Sequence, residues 1–353
     1  MMETNDRPDG GRAKPVVAVF GAYGHTARFV TAELLERGWT PVLSGRDAAK
    51  LEAAAAAHPG VEWRIASVDV PASLDRALAG AAAVINCAGP FGDTAPPLIE
   101  AALRAGIHYL DVTGETLVAI DTFDTYRDDP RVKEAGIVVA PVMAFYGALG
   151  DLLATVAIGD WPAADEISIA VALDSWHPTR GTLLAAERRA GRRVVFSEHH
   201  LQVLAGDEPP PRGTWTFPEP FGTQDVVGQF SNSDVVTISH HLDTARINAF
   251  LNVAPLKDLG DPETKGPQAA DAGGRSAQVF LVEVVVRRGD EQRRVAVRGR
   301  DIYAITAPIV VEATERILAG RGRATGVVTA GEIFDAEDFL RSLPLDEVSL
   351  GNG

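Results

Sequence analysis

Between residues 15 and 142, short apolar runs alternate with longer stretches in which apolar residues recur every three or four positions. The runs at 15–20 (PVVAVF), 41–44, 62–68, 82–86, 107–112 and 136–142 read as strands. Between them, residues 24–37 place Ala27, Val30 and Leu34 on one helical face and meet a stop at Gly38. Asp47 caps an alanine-rich helix that ends near residues 58–60. Residues 73–79 form a short helix, 96–105 a helix opening on prolines, which suit a first turn, and 115–126 another. Strands alternating with helices predict a parallel, doubly wound sheet.

After about residue 145 the pattern changes. A helix at 147–158 leads to strand-like segments at 166–173, 192–196, 245–253, 279–288 and 292–298. Long alternating strands without intervening helices predict an α+β unit with a mostly antiparallel sheet packed on one face. Residues 207–213 and 260–275 are rich in proline and glycine and read as loops, the second as the best candidate for disorder. Helical pattern returns at 303–318 and near 336–343. The expected organisation is a flexible tail over 1–13, an α/β Rossmann-type domain over 14–144, a substrate and dimerisation domain over 145–302, and C-terminal helices over 303–353.

Composition narrows the function classes. At 46% hydrophobic and 23% charged, the chain can bury a sizeable core. A net charge of −15 argues against a nucleic-acid partner and an anionic membrane surface. The single cysteine, Cys87, excludes an internal disulfide. There is no signal-type segment at the start and no apolar run approaching the ~18 residues that span a bilayer. The expectation is a cytoplasmic protein acting on a small molecule. The long strands of the second unit favour a homodimer.

The first strand runs directly into Gly21-Ala22-Tyr23-Gly24-His25-Thr26-Ala27 and a helix. Gly21 permits a tight turn, Gly24 lets backbone approach a diphosphate at the free N–H groups of the helix start, and Ala27 allows close helix–strand packing. The second strand ends in Ser44-Gly45-Arg46, where an acidic residue would hold the ribose hydroxyls of NAD. An arginine fork there suits a 2′-phosphate, with Lys50 one turn further on, so the expected cofactor is NADP. Asp69 and Val70 follow the third strand, where the adenine ring is commonly flanked. Cys87, Ala88, Gly89, Pro90 and Phe91 follow the fourth, the strand end at which ligands sit in such sheets. Cys87 has no base beside it in sequence and reads as a packed or cofactor-facing thiol.

The strings GAYGHTA, SGRDAAKLE and INCAGPFGDTAPPLIEAALRAGIHYLDVTGE together resemble the saccharopine dehydrogenase-like oxidoreductases. The last includes a G-h-Y-x-D-x-x-GE segment carried by Gly106, His108, Tyr109, Asp111, Gly114 and Glu115. The stretch DIYAITAPIVVEATERILAG is also similar to that family. The resemblance is specific over 15–142 and loose over 145–300. It implies a nicotinamide cleft between the first domain and a mixed substrate domain, C-terminal helices that return to the first domain, and the segment from Tyr109 to Gly114 and Glu115 near the nicotinamide side of the cleft. It implies reductase activity, either on an enoyl C=C bond or on a saccharopine-type C=N bond. Many relatives carry a GGT segment where this chain reads Ser175-Trp176-His177-Pro178-Thr179-Arg180-Gly181-Thr182, so the substrate is not inherited.

Catalytic candidates near such a cleft are Tyr109, His177, Arg180 and Tyr303. Arg180, Arg188 and Arg189 are the cations that an imine reductase of amino-acid adducts would use as carboxylate clamps. None of the five tyrosines (23, 109, 126, 146, 303) has a lysine four residues later, so the Tyr-x-x-x-Lys relay is missing. No metal site is expected. His199-His200 and His240-His241 are adjacent pairs, which in a strand point to opposite faces. Three readings stand: an NADPH-dependent reductase of an enoyl C=C bond in a small or carrier-linked metabolite, an imine reductase, and a non-catalytic NADP-binding protein.

Overall fold

The computed structural model describes residues 14–189, 191–206 and 208–351; the expected tail over 1–13 and Asp207 of the proline-rich loop lie outside them. The first half runs β1 (Val16–Phe20), α1 (His25–Glu36), β2 (Thr40–Gly45), α2 (Ala48–Ala56), β3 (Glu62–Ile65), α3 (Pro71–Leu78), β4 (Ala81–Asn86), α4 (Phe91–Ala105), β5 (His108–Asp111), α5 (Thr116–Tyr126), α6 (Pro130–Ala135) and β6 (Val138–Ala140). The strands lie in the order β3-β2-β1-β4-β5-β6, all parallel. Strand alternation feeds two cores. Val17 and Val19 of β1 join the core that includes Val30 and Leu34 of α1, while Ala18 and Phe20 face Leu74 of α3 and Leu98 of α4.

One helix departs from its expected bounds. α4 begins at Phe91, so Pro96 and Pro97 fall inside it rather than in its first turn. Pro96 is exposed and Pro97 half-buried, so the carbonyls left without N–H partners can face water.

The second half runs α7 (Gly150–Ile158), β7 (Glu166–Leu173), α8 (Arg180–Arg189), β8 (Arg193–Ser197), β9 (His200–Leu204), β10 (Arg212–Thr216), β11 (Thr223–Val227), α9 (Asp234–Ser239), β12 (Arg246–Asn252), α10 (Ala254–Gly260), β13 (Val279–Arg288), β14 (Glu291–Arg300), α11 (Thr306–Leu318), β15 (Gly326–Val327), α12 (Ala330–Ile333), α13 (Ala336–Ser342) and β16 (Glu347–Ser349). The second sheet has the order β10-β11-β12-β7-β13-β14-β16, with β8 on β12 and β9 on β8. Only β7 and β12 pair in parallel among its ladders. Ile167, Ile169, Val171 and Leu173 of β7 share a core with Leu152 and Leu153 of α7.

The C-terminal stretch joins both sheets. β15 extends the first by pairing with β6, and β16 extends the second by pairing with β14. α11 packs on α1, where Arg37 pairs with Glu312 and Arg316 pairs with the same carboxylate at 2.7 Å.

Two further expectations change. Residues 260–275 are anchored rather than disordered: Arg28 donates to Gly274 O at 2.9 Å, and Ala270 N donates to Arg275 O at 2.7 Å. His240 and His241 follow α9 and are not in a strand, so the opposite-face argument does not apply to them. His240 stacks on Phe123, with ring centroids 3.9 Å apart. The His241 ring lies 2.5 Å from Asp151 Oδ1, and that carboxylate also accepts from Gly331 N at 2.7 Å.

Candidate functional site

β1 and β4 are neighbours at the centre of the first sheet, and the crossovers that leave them run to opposite sides. Such a reversal opens a crevice at the carboxyl ends of the strands. The turn after β1 shapes one wall. Gly21 has φ +77°, and Gly21 N and Ala22 N both donate to Ser44 O, at 2.8 and 3.1 Å. A β-carbon on Gly21 would lie 2.7 Å from Ala88, so the loops after β1 and β4 touch only because residue 21 is glycine. Gly24 caps α1 with no side-chain acceptor, and the first turn of α1 carries no acidic residue. The N–H groups at this helix end therefore remain available to an anion. Thr26 and His25 border the turn, half-buried.

At the end of β2, the Tyr23 ring lies over Gly45, where a β-carbon would sit 2.7 Å from it. Lys50 Nζ is 5.6 Å from the centre of that ring and 3.4 Å from Asp47, the cap of α2. Ser44 is buried and its hydroxyl has no partner. Arg46 is exposed and makes no ion pair among the described residues. Ile65 and Val70 expose apolar surface after β3, 53% and 49%, with Asp69 beside them bonded to the Ser67 hydroxyl. An apolar platform next to a free arginine suits an adenine ring bearing a nearby phosphate.

The loop after β4 is held from behind. Asn86 donates to Thr94 Oγ1 and Tyr109 Oη at 3.1 and 3.2 Å, and accepts from Ala88 N at 3.0 Å. Tyr109 donates to Asp111 Oδ2 at 2.9 Å, while Asp111 Oδ1 accepts from Thr113 N and Val142 N at 3.0 and 2.8 Å. Glu115 accepts from Phe91 N at 2.7 Å, fixing the start of α4 after Gly89 and Pro90. Gly114 is exposed beside it. Burial pushes the Asp111 carboxyl up to about 6. Burial, then the nearby Asp111 charge, raises the Cys87 thiol, so it is no thiolate at neutral pH. Tyr109 is wholly buried with its hydroxyl engaged. The expectation that it meets a substrate therefore gives way to a role in positioning the three loops.

Across the crevice, Tyr303 precedes α11. Its hydroxyl meets Trp176 Nε1 at 3.1 Å, Thr179 N at 3.3 Å and Thr182 Oγ1 at 2.9 Å. Its ring lies 5.4 Å from that of His25, edge to face. The structure thus brings Tyr303 to the glycine-rich turn. It does not bring His177 and Arg180 to the same point: His177 Nδ1 lies 3.2 Å from Lys265 O, and Arg180 is exposed at the start of α8. Arg188 is bidentate to Asp93 of α4, at 3.0 and 2.7 Å, and ties α8 to the first domain. Arg189 is partly buried, which lowers the pKa of its guanidinium.

Four residues that the sequence reading did not single out join this wall. Tyr146 lies in the turn after β6, between Val142 at φ 60° and Gly147 at φ 127°. Its ring packs 6.2 Å from Trp176 and 5.7 Å from Phe230. Its hydroxyl is closed off from water and has no hydrogen-bond partner. Asn232 is 2% exposed, and neither amide atom has a partner. No motif marks these positions, because they meet only through the packing of the two sheets.

Residues 17–139 match the family described as the saccharopine dehydrogenase NADP binding domain. A trans-acting enoyl reductase of Mycobacterium tuberculosis is 26% identical over 130 residues, 35% of this chain and 31% of that protein. A saccharopine dehydrogenase-like oxidoreductase of Bos taurus is 32% identical over 154 residues, 38% of this chain and 35% of that protein. The chain thus spans about a third of the length of the curated relatives it matches. Among solved structures, the apo saccharopine dehydrogenase (L-Glu forming) of Saccharomyces cerevisiae shares the fold: TM-score 0.61 at 13% identity, covering 92% of this chain and 96% of that one.

Proposed function

Since residues 17–139 match the saccharopine dehydrogenase NADP binding domain, we propose that this chain is a saccharopine dehydrogenase-like oxidoreductase, an NADPH-dependent reductase of a C=C bond conjugated to a carbonyl, in a small or carrier-linked metabolite. The observation that carries the cofactor half is the free Arg46 at the end of β2, beside the unpartnered Ser44 hydroxyl and within a turn of Lys50. In this reading Gly21, Tyr23, Gly24, His25 and Thr26 line the diphosphate, and Ser44, Gly45, Arg46 and Lys50 take the 2′-phosphate end. Asp69 and Val70 flank the adenine. The backbone of residues 87–91 and 114–115 lies along the nicotinamide half. When bound, the reduced nicotinamide supplies a hydride. The protein's part is then to orient the two reactants, exclude water and stabilise the charge that develops.

The enoyl reading draws on the relative named an enoyl reductase and on the polarity of the far wall. Arg188 is engaged by Asp93 and Arg28 by the Gly274 carbonyl. The groups left without partners there, Tyr146 and Asn232, are neutral. An imine substrate bearing carboxylates would instead draw on Arg189, whose partly buried guanidinium is the one observation favouring that second reading. NADPH oxidation with crotonyl-N-acetylcysteamine, set against a 2-oxo acid plus amine, separates the two. Tight NADPH binding without turnover of either would leave the non-catalytic reading. A cytoplasmic homodimer built on the second sheet belongs to the same proposal, and a monomer at all concentrations in sedimentation would overturn the dimer.

A further inference from the structure

Buried polar atoms in folded proteins almost always have partners, so a cluster without them marks a place where something else completes the bonding. Among the described residues, Tyr146 Oη, both amide atoms of Asn232 and Ser233 Oγ are all closed off from water and all without a partner. Their segments are tied to one another. Asp234 Oδ1 accepts from Gly147 N at 2.7 Å and from Gly150 N at 3.2 Å, which brings the turn after β6 against the start of α9. Thr116 of α5 donates to Ser231 O at 3.4 Å, which brings the same segment to the end of β5. Phe230 packs on Tyr146, and Asn232 N donates to Phe230 O at 2.8 Å. Tyr146 and Asn232 therefore both lie where the turn after β6 meets the segment before α9, one on Phe230 and the other two residues beyond it, and their polar side-chain atoms have no hydrogen-bond partner.

We infer that the Tyr146 hydroxyl and the Asn232 carboxamide form a donor pair for the carbonyl oxygen of the substrate's conjugated C=C–C=O group. The inference rests on the reductase reading above and deepens it. One acceptor oxygen between the two donors would satisfy both, which an apolar alkene carbon cannot do. Trp176 and Phe230 pack against Tyr146 and against each other, so the hydroxyl stands in an aromatic, apolar surround in which a bond to an oxygen is strengthened. In the reaction, hydride adds to the β-carbon, and the C=C electron pair shifts toward the carbonyl to leave an enolate oxygen. A proton from water then adds at the α-carbon. Neutral donors fixed in a dry site bind that oxygen more strongly as its charge grows. Gly147 helps fix them: a β-carbon there would lie 2.1 Å from Val142, so the tight turn that presents Tyr146 requires glycine.

The probe is 4-nitrophenolate, whose oxygen resembles an enolate oxygen, titrated by absorbance into the protein loaded with NADP+. The wild type is expected to bind it, with Tyr146→Phe and Asn232→Ala each weakening it at least ~10-fold while NADP+ affinity stays unchanged. With crotonyl-N-acetylcysteamine, Tyr146→Phe is expected to lower kcat about 10²–10³-fold, the loss typical of an oxyanion donor, with a smaller change in KM. In the ligand-free protein, Tyr146→Phe should not lower the thermal midpoint, since it deletes a hydroxyl that has no partner; a merely structural tyrosine would lower it. Absence of phenolate binding to the wild type, or equal binding by wild type and both variants, overturns the donor pair. If the wild type binds NADPH but reduces no enoyl probe, the reductase reading fails, and the phenolate comparison on the same protein still decides the pair.

Discussion

At the scale of single residues, Arg46 tests the cofactor. Charge-assisted bonds to a phosphate are worth more than neutral ones. Arg46→Ala should therefore weaken NADPH by about 10-fold or more, on the measured scale for hydrogen bonds to charged groups. NADH should hardly change, and calorimetric titration of both reads the difference. Asp234 tests the electrostatics beneath Tyr146. Burial pushes its carboxyl up to about 7, against an ordinary 3.8. Between those two values the folded protein holds a proton that the unfolded chain has released. Raising the pH through this window therefore lowers stability, and the loss is complete above it. Asp234→Asn keeps the Oδ1 acceptor for Gly147 and Gly150 and removes the charge. Its thermal midpoint should exceed that of the wild type at pH 8, and the gap should close by about pH 4.

At the scale of elements, α8 and α11 make contrasting contacts with the first domain. α8 has no buried residue, and its tie to α4 is the Arg188–Asp93 pair, with side chains 47% and 56% exposed. Exposed pairs contribute little to global stability. Arg188→Ala should leave the thermal midpoint in place, while hydrogen exchange of α8 amides quickens. α11 is held differently. Glu312 lies between Arg37 and Arg316, the latter only 6% exposed. Glu312→Ala removes one of two carboxylates on the buried Arg316 guanidinium, which keeps Asp338 at 2.8 Å, and should cost about 1–3 kcal/mol in denaturant unfolding. β1, β2, β4, β5, β6 and α1 were legible in the sequence because their apolar residues are buried together, and β3, half-buried to exposed along its length, was legible from its place in the strand–helix alternation. β9 and β10 were not, because both are five-residue strands that lie largely exposed and bury no apolar face. The start of α4 was obscured by Pro96 and Pro97, which read as a first turn when local chemistry is considered alone.

At the scale of the whole molecule, the two sheets share one continuous core that takes in α1, α7 and α11, and β15 and β16 bind the C-terminal stretch to both. The crevice at the ends of β1 and β4 faces Tyr303, Trp176 and the segment before α9. The Arg28–Gly274 contact and the Arg188–Asp93 pair run from the second half of the chain to the first.

The sequence alone determined the parallel sheet, the glycine-rich turn and the arginine after β2. Each depends on local spacing: apolar period, a glycine where backbone must turn or approach, and a charged fork at a strand end. Only the tertiary structure decided what faces that turn. It withdrew Tyr109 into a network behind the loops, set Tyr303 against His25, and gathered Tyr146 and Asn232 from segments 86 residues apart in the chain. A hydroxyl or amide gains meaning from whether the packed neighbours satisfy it, and that depends on contacts across the whole chain, which no local pattern records.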